Sequence, residues 1–284
     1  MTIQEWYDSG KMVTLNRFQV FYNREGSGDT MFCIHGFPTS SWDFDPLWLP
    51  LAKHFELVAP DLIGLGMSEK KEKNINISLQ ADMVENLADE LGVKEAHLLA
   101  HDLGDTVALE LLARQMEGKN SVQWKSIIML NGGIFSDAYK PRLIQKMMVS
   151  PFGPIVARLT TKYTFQQNMR NIFGKSHPPD QEFIDGFWKL MRSEGSIGLM
   201  PYILRYMKER TTHKDRWENV MRKGKLPMLL INGAQDPISG KHIYEQYLKE
   251  VPKPNAVLLA DAGHYPHVEE PERVLDAIQV FHKF

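Results

Sequence analysis

The pattern of apolar and polar positions changes period along the chain, and each period predicts a different element. Residues 11–22 set β-branched and aromatic side chains in rough alternation with polar ones and break at Gly26-Ser27-Gly28, which predicts an edge hairpin. From Met31 one unit repeats: a short apolar run (31–34, 56–60, 96–101, 126–130), a polar turn, and a helix-period stretch (near 41–54, 79–91 and 104–116). Strand alternating with helix predicts parallel strands joined by crossovers. The expected class is therefore α/β, a doubly wound and mostly parallel sheet whose ligands bind beyond the carboxyl ends of its strands.

The alternation stops after Asn131-Gly132-Gly133 and stays absent from Ile134 to about Trp217. This stretch has a helical period, is broken at Pro151, Pro154, Pro178 and Pro179, and carries Met147, Met148, Met169, Met191, Met200 and Met207 among aromatic residues. Soft methionines suit a surface that repacks around an apolar guest, although each one singly fits the core of a helical layer equally well. The stretch reads as a lid inserted after the sixth strand. Sheet pattern resumes at 227–233 and 256–259, so the expected organisation is a core of 1–133 and 217–284 with a helical cap of 134–216.

Length fits either roughly two domains or one large α/β domain with an insertion. The formal charge of −2, with basic and acidic residues spread along the chain, gives no basic stripe for nucleic acid and no polybasic membrane anchor. No apolar run approaches the ~18 residues of a membrane span. A single cysteine, Cys33, excludes an intrachain disulfide and reads as a buried core thiol. A small-molecule substrate and a cytoplasmic location are the resulting expectations, with the oligomeric state open between monomer and homodimer.

The chemistry centres on Leu98-Leu99-Ala100-His101-Asp102-Leu103-Gly104, where an apolar strand meets a helical pattern without slack. A side chain at the apex of such a strand–turn–helix is thrust clear of the sheet, and the residues two positions away on either side must be small. Ala100 and Gly104 meet that need and make Asp102 the apex. The bland alternative is an aspartate that merely caps the helix. At the first strand end, Gly36 and Pro38 free the Phe37 amide to act as an oxyanion donor, while Ser40 can cap the following helix. Asp61, in the glycine-rich turn Pro60–Ser68, reads as buried and hydrogen-bonded, and Lys70–Lys73 as solvated surface. Two late strand ends deliver Asp236-Pro237 and Gly263-His264. His267 lies three residues beyond His264, but without a third ligand the pair does not argue for a metal, and neither metal nor cofactor is expected.

The order nucleophile, acid, histidine (Asp102, Asp236, His264) resembles that of α/β-hydrolases. The likeness extends to His35-Gly36-Phe37-Pro38, Pro60-Asp61-Leu62-x-Gly-x-Gly-x-Ser68 and His101-Asp102-x-Gly104. It is specific to the aspartate-nucleophile branch, the epoxide hydrolases and haloalkane dehalogenases. Asp105, Asn131-Gly132-Gly133-Ile134-Phe135 and His264-Tyr265-Pro266 with Glu270-Pro271 are similar to the mesoderm-specific transcript protein group.

The resemblance implies an eight-stranded α/β-hydrolase sheet and an alkyl-enzyme ester on Asp102. Dehalogenases of the branch cradle halide with a tryptophan after the nucleophile and an asparagine after His-Gly. This chain has Leu103 and Phe37 there, and neither side chain donates a hydrogen bond. Epoxide hydrolases place a proton-donating tyrosine on a late lid helix, which makes Tyr206 the first choice, with Tyr202 one turn earlier on the same face. Tyr163 and Tyr139 are candidates for a second tyrosine. The expected function is opening of epoxides to vicinal diols, with oxyanion amides at Phe37 and Leu103 and substrate-binding positions at His35, Tyr163 and Tyr202. The alternatives are a dehalogenase of the same branch and a non-catalytic ligand-binding protein.

Overall fold

The computed structural model describes the backbone of residues 1–284 and every side chain except that at position 194. The chain opens with α1 (Ile3–Ser9), then β1 (Lys11–Leu15), β2 (Phe18–Gly26) and β3 (Asp29–Ile34). A 3₁₀ turn at Ser41–Phe44 leads into α2 (Asp45–Ala52), followed by β4 (Phe55–Pro60), α3 (Ile77–Glu90), β5 (Glu95–His101), α4 (Leu103–Met116) and β6 (Gln123–Leu130). Seven helices follow before the next strand: α5 (Leu143–Met148), α6 (Gly153–Arg158), α7 (Lys162–Arg170), α8 (Gln181–Arg192), α9 (Ser196–Ile203), α10 (Tyr206–Thr212) and α11 (Lys214–Lys223). The chain closes with β7 (Met228–Gly233), α12 (Lys241–Glu250), β8 (Ala256–Leu259), α13 (Pro266–Glu269) and α14 (Pro271–His282).

The eight strands form one sheet in the order β1-β2-β4-β3-β5-β6-β7-β8, antiparallel at β1/β2 and β2/β4 and parallel beyond. The strand order reverses at β3. From there the chain first steps outward to β4 and then returns to place β5 on the other side, so the carboxyl ends of β3 and β5 flank the crevice where doubly wound sheets bind ligands. Ile34 pairs with Ala100 there, which sets the Gly36-Phe37 turn beside Asp102.

Burial explains the strand compositions. β5 is buried from Ala96 to His101 and α4 from Leu103 to Ala113, because the helix is covered on both sides as it crosses the sheet. Each fully buried leucine or isoleucine in this layer contributes about 1.5–3 kcal/mol. The hairpin expected at residues 11–22 forms at the sheet edge, with β1 outermost and residues Tyr22–Gly26 of β2 joining it to β4. The helix α1 was not anticipated, yet it carries a capping box of Thr2 and Glu5 and buries Trp6, whose indole donates to Ser41 Oγ at 3.1 Å.

Candidate active site

Asp102 is the single residue between β5 and α4, at φ 47° and ψ −102°. Such a conformation is strained for a non-glycine residue and persists only where the surroundings enforce it. Gly104 is part of that enforcement, since a Cβ there would lie 2.0 Å from the Ile34 carbonyl oxygen. The Asp102 side chain makes no capping bond to its own helix, which removes the bland reading of this residue. Instead its Oδ2 accepts from the Phe37 amide at 3.2 Å. Leu103 opens α4, and an amide at a helix's first position has no partner within the helix.

Asp236 and His264 follow β7 and β8. His264 Nδ1 donates to Asp236 Oδ2 at 2.7 Å, and both side chains are buried. The Asp236 carboxylate also accepts from the Ile238 amide (2.7 Å), the Ser239 hydroxyl (2.8 Å) and Asn131 Nδ2 (3.0 Å). Burial would raise the Asp236 pKa, but the His264 charge and these bonds outweigh it and hold the carboxylate below its ordinary value. Burial would lower the His264 pKa, yet the charge and hydrogen bond of Asp236, with the charge of Asp102, lift it to about 9. Glu269 fixes the loop that carries His264 by accepting from the amides of Gly174, Gly263 and Tyr265.

From the helices opposite, Tyr206 brings its hydroxyl to 3.3 and 3.5 Å from the two carboxylate oxygens of Asp102. Burial first, and then the Asp102 charge, push its pKa well up, so the phenol keeps its proton at neutral pH. Tyr202 does not share its helical face as expected. α9 ends at Ile203, the chain tightens into i→i+3 bonds from Arg205 to Tyr202 and from Met207 to Leu204, and α10 starts afresh at Tyr206. The Tyr202 ring instead lies under the Arg205 guanidinium, at 4.7 Å.

Arg210 is the residue that sequence reasoning missed. One turn beyond Tyr206 and fully buried, it donates from Nη2 to the Asp102 carbonyl (3.0 Å) and from Nε to Thr106 Oγ1 (2.8 Å), with Nη2 3.7 Å from Asp102 Oδ1. The rings of Tyr206 and Tyr139 stack on its guanidinium at 4.6 and 5.0 Å. Gly133 makes room for it, because a Cβ there would come within 2.3 Å of Arg210 Nη1, and Gly132 does the same for Asp105. The glycine pair was the available signal: two adjacent positions without side chains after β6 imply something large against them.

A cavity of about 100 Å³ opens over Asp102 and His264, walled by Phe37, Met148, Phe165, Met169 and Leu204. Arg142 adds a cation to this largely apolar wall. Its Nη1 donates to the Asn168 carbonyl at 3.2 Å, burial lowers its pKa, and among the described residues no carboxylate forms an ion pair with it. A wider cleft of about 520 Å³ beside Met1, Trp42 and Phe183 contains none of Asp102, Asp236 or His264.

Several expected contacts are not made. His35 accepts the Leu62 amide at Nε2 (2.9 Å) and bonds the Gly36 carbonyl through Nδ1 (2.8 Å), so both ring nitrogens serve the backbone rather than a substrate. Tyr163 is 69% exposed and off the cavity wall. Tyr139 directs its hydroxyl to Met207 Sδ at 3.3 Å. Asp61 is buried, as expected, and accepts from Ser41, Met67 and Tyr7.

Behind the nucleophile, Asp43, His101 and His267 bring donor atoms within 4.8 Å of one another. Tetrahedral zinc with bonds of about 2.0–2.1 Å needs donors roughly 3.3 Å apart. His101 Nδ1 and Asp43 Oδ2 stand 4.0 Å apart, a spacing nearer that of groups sharing a water.

Residues 31–277 match the model of the alpha/beta hydrolase family. The chain belongs to that family. It is 32% identical to the mesoderm-specific transcript protein of Mus musculus over 98% of this chain and 87% of the mouse protein. Among solved structures it is similar to the epoxide hydrolase CorEH, at TM-score 0.80 and 18% identity over 96% of this chain and 98% of that one. It is also similar to a haloalkane dehalogenase DbeA variant of Bradyrhizobium elkanii, at TM-score 0.82 and 19% identity over 96% and 95% of the two chains. At these identities the two structures speak for the shared fold. In the alpha/beta hydrolase setting, the elbow aspartate replaces the serine usual at that turn.

Proposed function

We propose that this alpha/beta hydrolase opens epoxides to vicinal diols through an alkyl-enzyme ester on Asp102, with residues 134–216 as its cap. The observation that carries the reading is the Tyr206 hydroxyl, set 3.3 Å from the carboxylate of Asp102, a residue that itself lines a largely apolar cavity. A carboxylate nucleophile facing a phenol that holds its proton can attack a ring carbon while the phenol protonates the departing oxygen. Proton transfer of this kind contributes typically about 10²- to 10⁴-fold.

In the first step an Asp102 oxygen forms a bond to the ring carbon, the carbon–oxygen bond breaks, and the Tyr206 proton moves to the leaving oxygen. In the second, His264 takes a proton from water and the hydroxide adds to the ester carbonyl. The oxyanion is met by the amides of Phe37 and Leu103, single donors worth roughly 3 kcal/mol each. Collapse releases the diol and restores Asp102, and the proton on His264 returns to Tyr206. Esterification removes the Asp102 charge, a smaller contribution than that of Asp236 to holding His264 protonated, so alkylation moves the His264 pKa downward, in the direction a base needs.

A leaving halide needs N–H donors and no acid, and the side chains of Leu103 and Phe37 supply none. The test is therefore a matched panel. Diol should form from alkyl or aryl epoxides, halide release from bromo- and chloroalkanes of similar size should be negligible, and Tyr206→Phe should lower epoxide turnover about 10²- to 10⁴-fold with the fold unchanged. Halide release equal to diol formation would overturn the epoxide reading. Full activity in Tyr206→Phe would overturn only the choice of acid. Tight binding of apolar ligands without any turnover would favour a non-catalytic receptor.

A further inference from the structure

The helices that wall the cavity turn other side chains outward, and many of these are apolar. On α5, α6 and their flanking turns, Leu143, Met147, Phe152, Ile155 and Leu159 stand between 44% and 72% exposed, and Tyr163 at the start of α7 is 69% exposed. Leu143 with Met147, and Ile155 with Leu159, are one turn apart, so each short helix presents an apolar pair on one face. Of the fourteen large apolar side chains exposed among the described residues, seven fall between 143 and 163. Scattered exposed apolar residues are ordinary, but a concentration of this kind marks a docking surface.

Charge is segregated in the same stretch. Between 138 and 179 the chain has seven lysines and arginines and no aspartate or glutamate, in a protein whose formal net charge is −2. Lys140, Lys146 and Arg158 are exposed there and form no ion pair with a carboxylate among the described residues, while Lys162 meets Asp185 at 2.6 Å. The same elements line the cavity on their inner side through Ile144, Met148 and Thr160.

We propose that this face docks on an anionic lipid bilayer and that the cavity takes its apolar substrate from the membrane. Exposed apolar side chains among unpaired cations match a surface whose phosphates lie above acyl chains, whereas a protein partner would have to supply both an apolar patch and a surplus of acids. The proposal extends the epoxide reading but does not depend on it, because docking is measured without turnover.

The test is co-sedimentation with vesicles of phosphatidylcholine alone or mixed with phosphatidylglycerol. The parent should sediment with the mixed vesicles and not with the neutral ones. Added salt should release it, as the screening length shrinks from about 8 Å at physiological strength to about 3 Å at 1 M. Phe152→Gln combined with Leu159→Gln should lower the bound fraction about tenfold, and Lys146→Gln with Arg158→Gln should remove the preference for phosphatidylglycerol. All four positions are exposed, so unchanged circular dichroism and melting separate lost docking from lost folding. Failure of the parent to sediment with the mixed vesicles would overturn the proposal. So would a lipid-free dimer, seen by light scattering, that Phe152→Gln with Leu159→Gln dissociates, since the face would then belong to a second copy.

Discussion

The two walls of the site are held in different ways. On the sheet wall, Asp102, Asp236 and His264 each follow the carboxyl end of a parallel strand within a few residues, so paired strands set where each loop starts, and Glu269 then holds the His264 loop. On the helical wall, Tyr206 and Arg142 sit at the starts of helices of seven and six residues, and the wall meets the sheet through side chains such as Arg210. Backbone ladders place a residue whatever its neighbours are, whereas side-chain moorings place it only while every member is present. The sheet wall should therefore answer to loss of Asp102, Asp236 or His264 themselves, and the helical wall also to small changes beneath Tyr206.

The largest effect is expected for His264→Gln. Alkylation should proceed and hydrolysis should stop, so turnover falls by more than about 10⁴-fold while mass spectrometry finds one substrate added on the Asp102 peptide. Normal turnover, or no adduct with a substrate the parent accepts, would remove the covalent role from the sheet wall. Asp236→Asn should follow with a loss of about 10³- to 10⁴-fold, because an amide favours the wrong imidazole tautomer.

The same variant tests the pKa of His264. Its folded value of about 9 lies above the ordinary 6.5, so the ion pair with Asp236 contributes stability in full below pH 6.5 and loses it as pH rises through 9. Melting temperature measured from pH 6.5 to 9 should fall in the parent and fall less in Asp236→Asn. Equal slopes would place the titrating group elsewhere.

Gly133→Ala sharpens the contrast with the helical wall. The new methyl meets the Arg210 guanidinium and should cost about 1–3 kcal/mol of stability by overpacking, with a measurable loss of turnover although no catalytic group has changed. A thermal melt unchanged from the parent would mean that the mooring yields freely. The smallest effects belong to Tyr163→Phe and Tyr202→Phe, which should shift stability by no more than about 0.5 kcal/mol and leave the rate intact. A large rate loss in either would restore a tyrosine that the geometry sets aside.

What could be read in advance follows the same division. Asp102, Asp236 and His264 were legible because a strand end is visible in the apolar pattern and their order along the chain is informative. Phe37 was legible because Gly36 and Pro38 leave few paths for the turn. Arg210 was not, since Lys208-Glu209-Arg210 looks like a solvated face and its burial depends on Gly133, Tyr139 and Thr106 from distant parts of the chain. His35 was misread because its ring bonds to the Leu62 amide, a contact that no spacing announces. The expectation that charges of both signs are spread along the chain fails between 138 and 179, which has cations and no acid, because the net charge averages that stretch against acids elsewhere.

The bond from Arg210 to the backbone of the nucleophile has a consequence for how the enzyme can change over time. It ties the end of the helical segment that carries Tyr206 to the elbow that carries Asp102. Residues 143–163, at the other end, carry no part of that tie. Insertions, deletions and substitutions there can reshape the entrance and the substrate range while the reacting groups keep their registry. Selection in the laboratory for new substrates should accordingly collect its accepted changes in α5 and α6 and leave Gly132, Gly133 and Arg210 untouched.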